Sequence, residues 1–338
     1  MDTTVRDIKA PSREIFESEI LHGGQPVVMR GLVADWPGIG GTAEALFQTL
    51  KSYDSGAMQG TIIGQPGTAG KFNYAPDLRG QNYDQIGETL SAALDRLARG
   101  PHPDGAYIQS IPLNRHMPNF ARDHPMPLLE PSVTPRAWIG TPTTVQTHMD
   151  QSQNIACVLL GEREVTLFPP EQLPNLYPGP LETAPGGAIV SLADLDAPDF
   201  EKHPGFVKAL ETKMTVTLQA GDAIFIPYGW WHHICATAPL NMLVNYWFLS
   251  ESPRLETPYA ALAIAMLCFD RLDDNARGVW SNLFNHYVFR KNGDPMGHVS
   301  DEARGILGGI PDGQEYNAIM EVLSMLGPMV GLNPPPRQ

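Results

Sequence analysis

Three side chains of this sequence could bind one metal ion. His148 and Asp150 are one residue apart in His-Met-Asp, and His232 follows far downstream, after Gly229-Trp230-Trp231. Side chains alternate along a strand, so a His-x-Asp pair at a strand end directs both ligands to one side. Two imidazoles and one carboxylate on one face leave three positions open on an octahedral ion. This donor set is typical of non-haem Fe(II) sites.

The spacing around these residues is more specific than a lone His-x-Asp. Gly221 is followed by five residues, Pro227, one residue, Gly229, two residues and His232, which matches the second motif of the cupin barrel. Downstream of Asp150, three residues lead to Asn154 and six more lead to Gly161. That is the spacing of the first cupin motif, with Asp in place of its second His and Asn in place of its Glu.

The chain resembles the cupin-like JmjC proteins, which are Fe(II)- and 2-oxoglutarate-dependent dioxygenases. Within them it looks most like the group that contains the asparaginyl hydroxylase of hypoxia-inducible factor. The resemblance covers most of residues 12–250, and the helical tail beyond is similar more loosely. The stretches that carry it, besides the two motifs, are 26–32, 35–37, 167–172, 175–178 and 244–247.

The resemblance implies functional roles for several residues. The implied iron ligands are His148, Asp150 and His232. Tyr107 matches a tyrosine that contacts the distal carboxylate of 2-oxoglutarate, and Asn154 and Asn245 match asparagines that contact the same cosubstrate.

Two positions depart from the pattern of the family. Arg163 stands where a lysine is usual, and its guanidinium can still hold a carboxylate through two parallel hydrogen bonds. The alternative is an exposed Arg163 paired with Glu162 or Glu164 at a turn. Val145 stands where relatives often carry a threonine that binds the cosubstrate.

The function implied by the resemblance is oxygenation of a substrate C–H bond, most simply hydroxylation. The expected cofactor is Fe(II), with 2-oxoglutarate as cosubstrate. A protein or peptide side chain is the leading expectation for the substrate, and a small molecule is the other. The formal net charge of −14 makes nucleic acid an unlikely partner, since nucleic-acid binding needs a cationic face.

Two other functions remain open. A cupin metal enzyme without 2-oxoglutarate commonly uses three His and a Glu, and Asp150 and Asn154 argue against that set. A non-catalytic interaction protein on a cupin-like scaffold is the second alternative. The presence of all three ligands argues against it, whereas Arg163 and Val145 leave room for it.

The elements predicted around the ligands are mostly strands. We expect a mainly β fold with α elements, namely a double-stranded β-helix (cupin or jelly-roll) barrel, with three regions: N-terminal α/β elements in 1–104, the barrel in 105–252 and a helical region in 253–338. A hairpin is expected at Gly161. The predicted strands are 26–30, 106–109, 136–140, 154–160, 164–168, 186–192, 214–218, 223–227 and 241–248.

The predicted helices lie at both ends of the chain, at 12–22, 84–99, 257–272, 277–288 and 316–326. The helix at 257–272 is apolar nearly all round its middle, so it must be covered on more than one face. Relatives dimerise through C-terminal helices, and the resemblance therefore implies a homodimer made largely by residues after Pro253. Packing of this helix on its own barrel is the alternative.

No membrane or secretory signal is expected. The longest apolar run, Ala260 to Phe269, is too short to span a bilayer, which needs about 20 residues. The first residues lack a basic segment followed by an apolar one, and the three cysteines form no C-x-x-C pair. These features predict a cytoplasmic protein.

Overall fold

The computed structural model of the chain describes residues 4–181, 183–250 and 258–300, together with residues 303, 304, 317, 320 and 324. The chain divides into two compact units, residues 1–250 and 251–338. Among the described residues, no helix combines the length and apolar character needed to cross a lipid bilayer.

The larger of the two β-sheets in the first unit has nine strands in the order β1-β2-β13-β9-β15-β7-β6-β3-β5. Except for the parallel β1–β2 pair, its neighbouring strands are antiparallel. Its strands are β1 (Arg6–Lys9), β2 (Val27–Arg30), β3 (Met58–Gly64), β5 (Tyr83–Thr89), β6 (Ala106–Pro112), β7 (Pro135–Gly140), β9 (Gln153–Leu160), β13 (Ala223–Ile226) and β15 (Asn241–Phe248).

The smaller sheet has the order β11-β8-β14-β10-β12, and the short β4 pairs with β8. Its strands are β4 (Lys71–Phe72), β8 (Thr143–Met149), β10 (Glu162–Phe168), β11 (Ile189–Val190), β12 (Met214–Gln219) and β14 (Trp231–Ala236). The mainly β fold with added helices is therefore confirmed. The described strands form two facing sheets, as in a jelly roll, rather than a single closed barrel.

The two sheets face each other across an apolar layer. Val158 and Leu243 of the larger sheet pack in one cluster with Val165 and Leu218 of the smaller sheet. A second, larger cluster covers the other face of the nine-stranded sheet and includes Phe16 from the N-terminal helical segment. Leu243 and other members of the first cluster also border the polar site residues, so the apolar layer and the site share the space between the sheets.

Helices of the first unit are short, and three of the six α-helices described there are capped by a Ser or Thr side chain. The backbone N–H of Ile15 donates to Ser12 Oγ, which confirms the predicted start of the N-terminal helix. The helices are α1 (Arg13–Ile15), continued by a π-helical turn (Phe16–Leu21), α2 (Ala43–Tyr53), α3 (Leu90–Arg99), α4 (Leu113–His116), α5 (Phe120–Asp123) and α6 (Phe206–Leu210), with 3₁₀ turns at Pro170–Asn175 and Pro185–Gly187.

The predicted helix at 84–99 is wrong in its first part. Residues 83–89 form β5, which pairs with β3 over seven consecutive positions, and α3 begins only at Leu90. Thr89 ends the strand and caps the helix, since its Oγ1 accepts the backbone N–H of Ala92. The long-range pairing outweighs the local helical spacing of the apolar residues.

The predicted hairpin at Gly161 is also wrong. β9 pairs with β13 and β15 in the larger sheet, whereas β10 pairs with β12 and β14 in the smaller sheet. Gly161 is therefore the point at which the chain crosses from one sheet to the other. Its φ is +78°, and a Cβ built there would lie 2.3 Å from Asn241 Oδ1.

The second unit contains α7 (Pro258–Phe269) and α8 (Asp274–Leu283), and α8 continues into a π-helical turn (Phe284–Val288). Asp273 caps α8 by accepting the backbone N–H of Ala276. The predicted helix at 316–326 lies almost entirely outside the described residues. Large apolar side chains of α7 are exposed, and Leu267 is the most exposed of them at 82%.

Candidate metal centre and adjoining cleft

His148, Asp150 and His232 lie together at the end of the smaller sheet. His148 and His232 are paired in register on β8 and β14, and Asp150 directly follows β8. One potential ligand atom from each residue lies within 4.8 Å of the other two. Asp150 Oδ2 is 3.5 Å from His232 Nε2, and the two imidazole centroids are 4.1 Å apart. The predicted donor set is thus assembled at one point.

Both imidazole rings are oriented by backbone carbonyls. Nδ1 of His148 is 2.8 Å from the carbonyl oxygen of Gln146, and Nδ1 of His232 is 3.1 Å from that of Trp230. A hydrogen bond from Nδ1–H leaves Nε2 as the free lone pair, which is how protein metal sites fix the ligating tautomer. Burial and the neighbouring His148 lower the pKa of His232 below its ordinary value. Its neutral, metal-binding form is therefore favoured.

A β-bulge lies beside these ligands. Val145 pairs with Ile234 and His148 pairs with His232, so three steps along β8 match two along β14. In a regular strand Val145 and His148 would point to opposite faces. The bulge places both on the face that lines the cleft. Sequence alternation predicts no such irregularity.

His233 takes no part in this donor set. Its Nδ1 is 3.4 Å from Thr147 Oγ1, and its Nε2 is 3.9 Å from a carboxylate oxygen of Asp196. Burial lowers the pKa of His233, as for its neighbour. His233 thus points away from the ligands, as strand alternation predicts.

A cleft of about 380 Å³ adjoins the three ligands, and we call it the inner cleft. It is lined by all seven predicted site residues: His148, Asp150, His232, Tyr107, Asn154, Arg163 and Asn245. Val145, Trp138 and Trp247 also line it. Residues from seven strands of the two sheets therefore converge on one space.

Arg163 lies deep in the inner cleft and is 2% exposed, so the alternative of an exposed Arg163 paired with Glu162 or Glu164 is wrong. None of the ion pairs found within the described residues includes Arg163. Its Nε and Nη2 have no hydrogen-bond partner in that part of the chain. Burial of unpartnered donors on a cation is costly unless an anion pairs with them.

Tyr107 is the side chain that interacts with Arg163. Burial raises the pKa of Tyr107 to about 12, an effect that the guanidinium partly opposes. Burial lowers the pKa of Arg163, and Tyr107 opposes that shift in turn. The phenol therefore keeps its proton at neutral pH and remains a hydrogen-bond donor beside the cation.

The two predicted asparagines form a directed chain of hydrogen bonds. Trp138 Nε1 donates to Asn245 Oδ1 at 2.7 Å, and Asn245 Nδ2 donates to Asn154 Oδ1 at 3.2 Å. Asn154 Nδ2 lies 3.4 Å from Asp150 Oδ2. This chain fixes which face each amide presents to the cleft.

Trp247 contacts the metal centre directly, which the sequence analysis did not foresee. Its indole Nε1 donates to Asp150 Oδ2 at 2.9 Å. The sequence does contain a pattern that could have predicted this contact. Asn245, a predicted site residue, and Trp247 are two residues apart on β15, so their side chains lie on the same face of the strand.

A second, aromatic-walled cleft of about 580 Å³ also borders His148 and Asp150. It shares Trp138 and Trp247 with the inner cleft and adds Phe72, Tyr83 and Gln109. Pro185 and Gly186, in a 3₁₀ turn, line one side of it. Gln109 and Gln146 are the amide side chains in its lining.

Comparison with known proteins identifies one family. A family model described as the cupin-like domain matches residues 12–253. The Jumonji C domain-containing protein 5 of Drosophila melanogaster is 26% identical over 253 residues, which cover 72% of this chain and 59% of that protein. The lysine-specific demethylase 8 of Danio rerio is 26% identical over 250 residues, 71% of this chain and 57% of that protein.

A third relative matches a shorter stretch. The HSPB1-associated protein 1 of Homo sapiens is 29% identical over 151 residues, which cover 43% of this chain and 30% of that protein. The chain thus spans less than two thirds of the length of each of these relatives.

Proposed function

The chain belongs to the cupin-like domain family, as its motifs predict, and on that premise we propose that it is an Fe(II)- and 2-oxoglutarate-dependent oxygenase that hydroxylates a protein side chain. His148, Asp150 and His232 would hold the metal. The relatives described above include a JmjC protein and a demethylase, which supports oxygenase chemistry in general.

The observation that carries the proposal is the pair of free donors on Arg163. Nε–H and Nη2–H of a guanidinium point in parallel and fit the two oxygens of one carboxylate. Elsewhere in this chain Arg96 uses the same two nitrogens to hold Glu88, at 3.1–3.3 Å. On Arg163 both nitrogens are buried and face no carboxylate among the described residues. A dicarboxylate that also reaches the metal would satisfy them.

The polar side chains around Arg163 suit the same ligand. Tyr107, protonated at neutral pH, can donate to the carboxylate that Arg163 holds. Asn154 and Asn245 line the cleft between Arg163 and the triad, and their hydrogen bonds hold them in place. When bound together, Fe(II) and 2-oxoglutarate supply the oxidation: dioxygen converts a substrate C–H to C–OH while 2-oxoglutarate becomes succinate and carbon dioxide.

The protein would position the metal and its cosubstrate and limit the access of water to them. His148, Asp150 and His232 would hold the metal, and the cleft beside them would receive the cosubstrate and dioxygen. The indole rings of Trp138 and Trp247 add apolar surface to both clefts, which limits the access of water. A substrate side chain would enter through the cleft of about 580 Å³, which Gln109 and Gly186 also line.

A protein substrate is favoured over a small molecule by the names of two relatives. One is named as a lysine-specific demethylase and the other for its association with HSPB1. Hydroxylation and demethylation both begin at a C–H bond and differ in the product. A hydroxylated peptide gains one oxygen atom, whereas a demethylated one loses a methyl group, which leaves as formaldehyde.

The decisive experiment is anaerobic titration of the purified protein with Fe(II) and then 2-oxoglutarate. A chelated 2-oxo acid gives a weak visible charge-transfer band, which we expect in the wild type and not in Asp150→Ala. Iron binding without this band would favour a cupin metal enzyme that does not use 2-oxoglutarate. Absence of iron binding would favour a non-catalytic interaction protein.

We also propose that the chain forms a homodimer through residues after Pro253. Four large apolar residues of α7 are between 45% and 82% exposed to solvent: Leu262, Ile264, Met266 and Leu267. Isolated exposed apolar residues are common, but a whole helix of them costs free energy until it is covered. A second copy of the same helix offers a matching apolar surface.

A further inference from the structure

Trp247 lies one hydrogen bond away from the metal ligands, and its ring is held on more than one side. The indole packs edge to face on Trp138, with centroids 5.7 Å apart. The guanidinium carbon of Arg136 lies 5.5 Å from the centroid of the Trp247 ring, and Nη1 of Arg136 donates to the Ser110 carbonyl. The ring is therefore clamped by an aromatic edge and a tethered cation.

The one polar atom of the Trp247 ring, Nε1, contacts Asp150, one of the three predicted metal ligands. Indole Nε1 can only donate, and it donates to Asp150 Oδ2 at 2.9 Å. Trp247 and Asn154 are cross-strand partners on β15 and β9, and Asn154 Nδ2 approaches the same oxygen at 3.4 Å. Two N–H groups from paired positions thus converge on one carboxylate oxygen.

Asp150 needs such support more than the histidines do. It follows the last residue of β8, and its backbone carbonyl accepts the N–H of Gly229 at 3.3 Å. Both histidines have a backbone carbonyl on Nδ1, whereas the hydrogen bonds to the Asp150 side chain within the described residues come from Trp247 and Asn154. The other close group is Nε2 of His232, itself a potential ligand atom, at 3.5 Å. Outer contacts of this kind affect metal affinity by roughly 10–100-fold.

We propose that Trp247 is a positioning residue, whose indole N–H fixes the carboxylate of Asp150 for metal binding. The inference rests on the proposed function only in that Asp150 is a metal ligand. It is independent of which substrate is oxidised, and of whether the cosubstrate is 2-oxoglutarate.

The test compares two Trp→Phe variants that each lose one indole N–H. Trp247→Phe removes the donor to Asp150 and keeps a ring for Arg136 and Trp138. Trp36→Phe is the matched control, since Trp36 Nε1 donates to the Pro125 carbonyl at 3.0 Å in the N-terminal core. Co(II) binding is measured by calorimetry and by the visible absorption of the bound ion. Thermal unfolding of the metal-free proteins is measured in parallel.

We expect Trp247→Phe to weaken Co(II) binding about tenfold or more and to change the visible spectrum. Trp36→Phe should bind Co(II) within twofold of the wild type. If both variants lose affinity in proportion to their loss of thermal stability, the role of Trp247 is structural and the proposal fails. Equal affinity of Trp247→Phe and the wild type also overturns it.

A second pair of variants keeps the test decisive if Trp247→Phe does not fold. The amide nitrogen of a Gln is as many bonds from Cα as the indole nitrogen, so Trp247→Gln retains a donor within reach. Trp247→Leu has none. Tighter Co(II) binding by Trp247→Gln than by Trp247→Leu supports the donor role, and equal binding contradicts it. If the wild type itself binds no Co(II), the metal site of the proposed function fails, an outcome distinct from both.

Discussion

His148 and His232 occupy paired positions on β8 and β14, and their ring centroids lie 4.1 Å apart. His233, the next residue along β14, is directed instead to Thr147 on the other side of the strand. The side chains of His232 and His233 therefore point to opposite faces of β14, because side chains alternate along a strand. Substitution of one or the other can separate an effect on metal binding from an effect on packing.

The first prediction concerns these two histidines. His232→Ala should reduce Co(II) or Fe(II) affinity by about 100-fold or more, because one of three protein ligands is lost. His233→Ala should lower thermal stability but keep metal affinity within a few-fold. Calorimetric titration of both variants decides the point. Equal loss in both would mean that His232 is no more a ligand than its neighbour.

The second prediction concerns Arg163. Because its buried cation lacks an anionic partner in the described structure, Arg163→Met should stabilise the ligand-free protein, by about 1–3 kcal/mol. The same change should weaken 2-oxoglutarate binding about 30-fold or more. Urea unfolding with and without 2-oxoglutarate measures both effects. A variant that is less stable and still gains stability from 2-oxoglutarate would move the anchor elsewhere.

The third prediction concerns Val145, which lines the inner cleft where relatives often carry threonine. Val145→Thr adds a hydroxyl to the wall of this cleft and, if the proposed cosubstrate binds there, should tighten 2-oxoglutarate binding by roughly threefold to tenfold. Thr144→Val is the matched control, since the Thr144 hydroxyl is directed to Cys235 and not to the cleft. The affinity for 2-oxoglutarate is measured by calorimetry, and Thr144→Val should leave it unchanged. If Val145→Thr does not raise this affinity either, the cosubstrate lies away from β8.

The fourth prediction concerns the crossing at Gly161. Gly161→Ala adds a Cβ against Asn241 Oδ1 at a positive φ, so it should cost about 2–4 kcal/mol of unfolding free energy. Gly40→Ala has a similar φ of +75° and no heavy atom within 4 Å of the added Cβ, so it should cost only about 1 kcal/mol. Urea unfolding measures both variants. Equal costs would mean that Asn241 shifts freely.

The fifth prediction concerns assembly. Light scattering at micromolar concentration should give twice the chain mass of 37.0 kDa. Leu267→Asp, at the most exposed apolar side chain of α7, should return the protein to a monomer. Phe200→Asp, at an apolar side chain of the first unit that is 45% exposed, should leave the mass unchanged. A wild-type mass of one chain would show that the tail is not a dimer interface.

The residues of the candidate site were predictable because short spacings report on short-range geometry. The pair His148-x-Asp150 at a strand end and the turn Pro227-Tyr228-Gly229 before His232 each favour one local conformation. β8 and β14, which carry His148 and His232, are not among the predicted strands. β9 and β10 lie close to their predicted limits, and β15 coincides with its prediction at Asn241–Phe248. Local pattern and tertiary pairing agree there.

The prediction fails where distant pairing decides the outcome. Apolar spacing at 83–89 fits a helix, yet pairing with β3 makes this segment a strand. A glycine between two strands resembles a hairpin turn, yet at Gly161 the two strands join different sheets. The bulge between His148 and Val145 and the contact of Trp247 with Asp150 likewise depend on partners far away in sequence.

The bulge also bears on how the chain stays folded. It interrupts the β8–β14 ladder next to the pair formed by His148 and His232. A metal ion bound by residues of both strands would cross-link β8 and β14 beside the bulge. Its binding free energy would add to the stability of the folded state. Depletion of the metal would remove this cross-link, so opening β8 from β14 would cost less free energy in the metal-free protein.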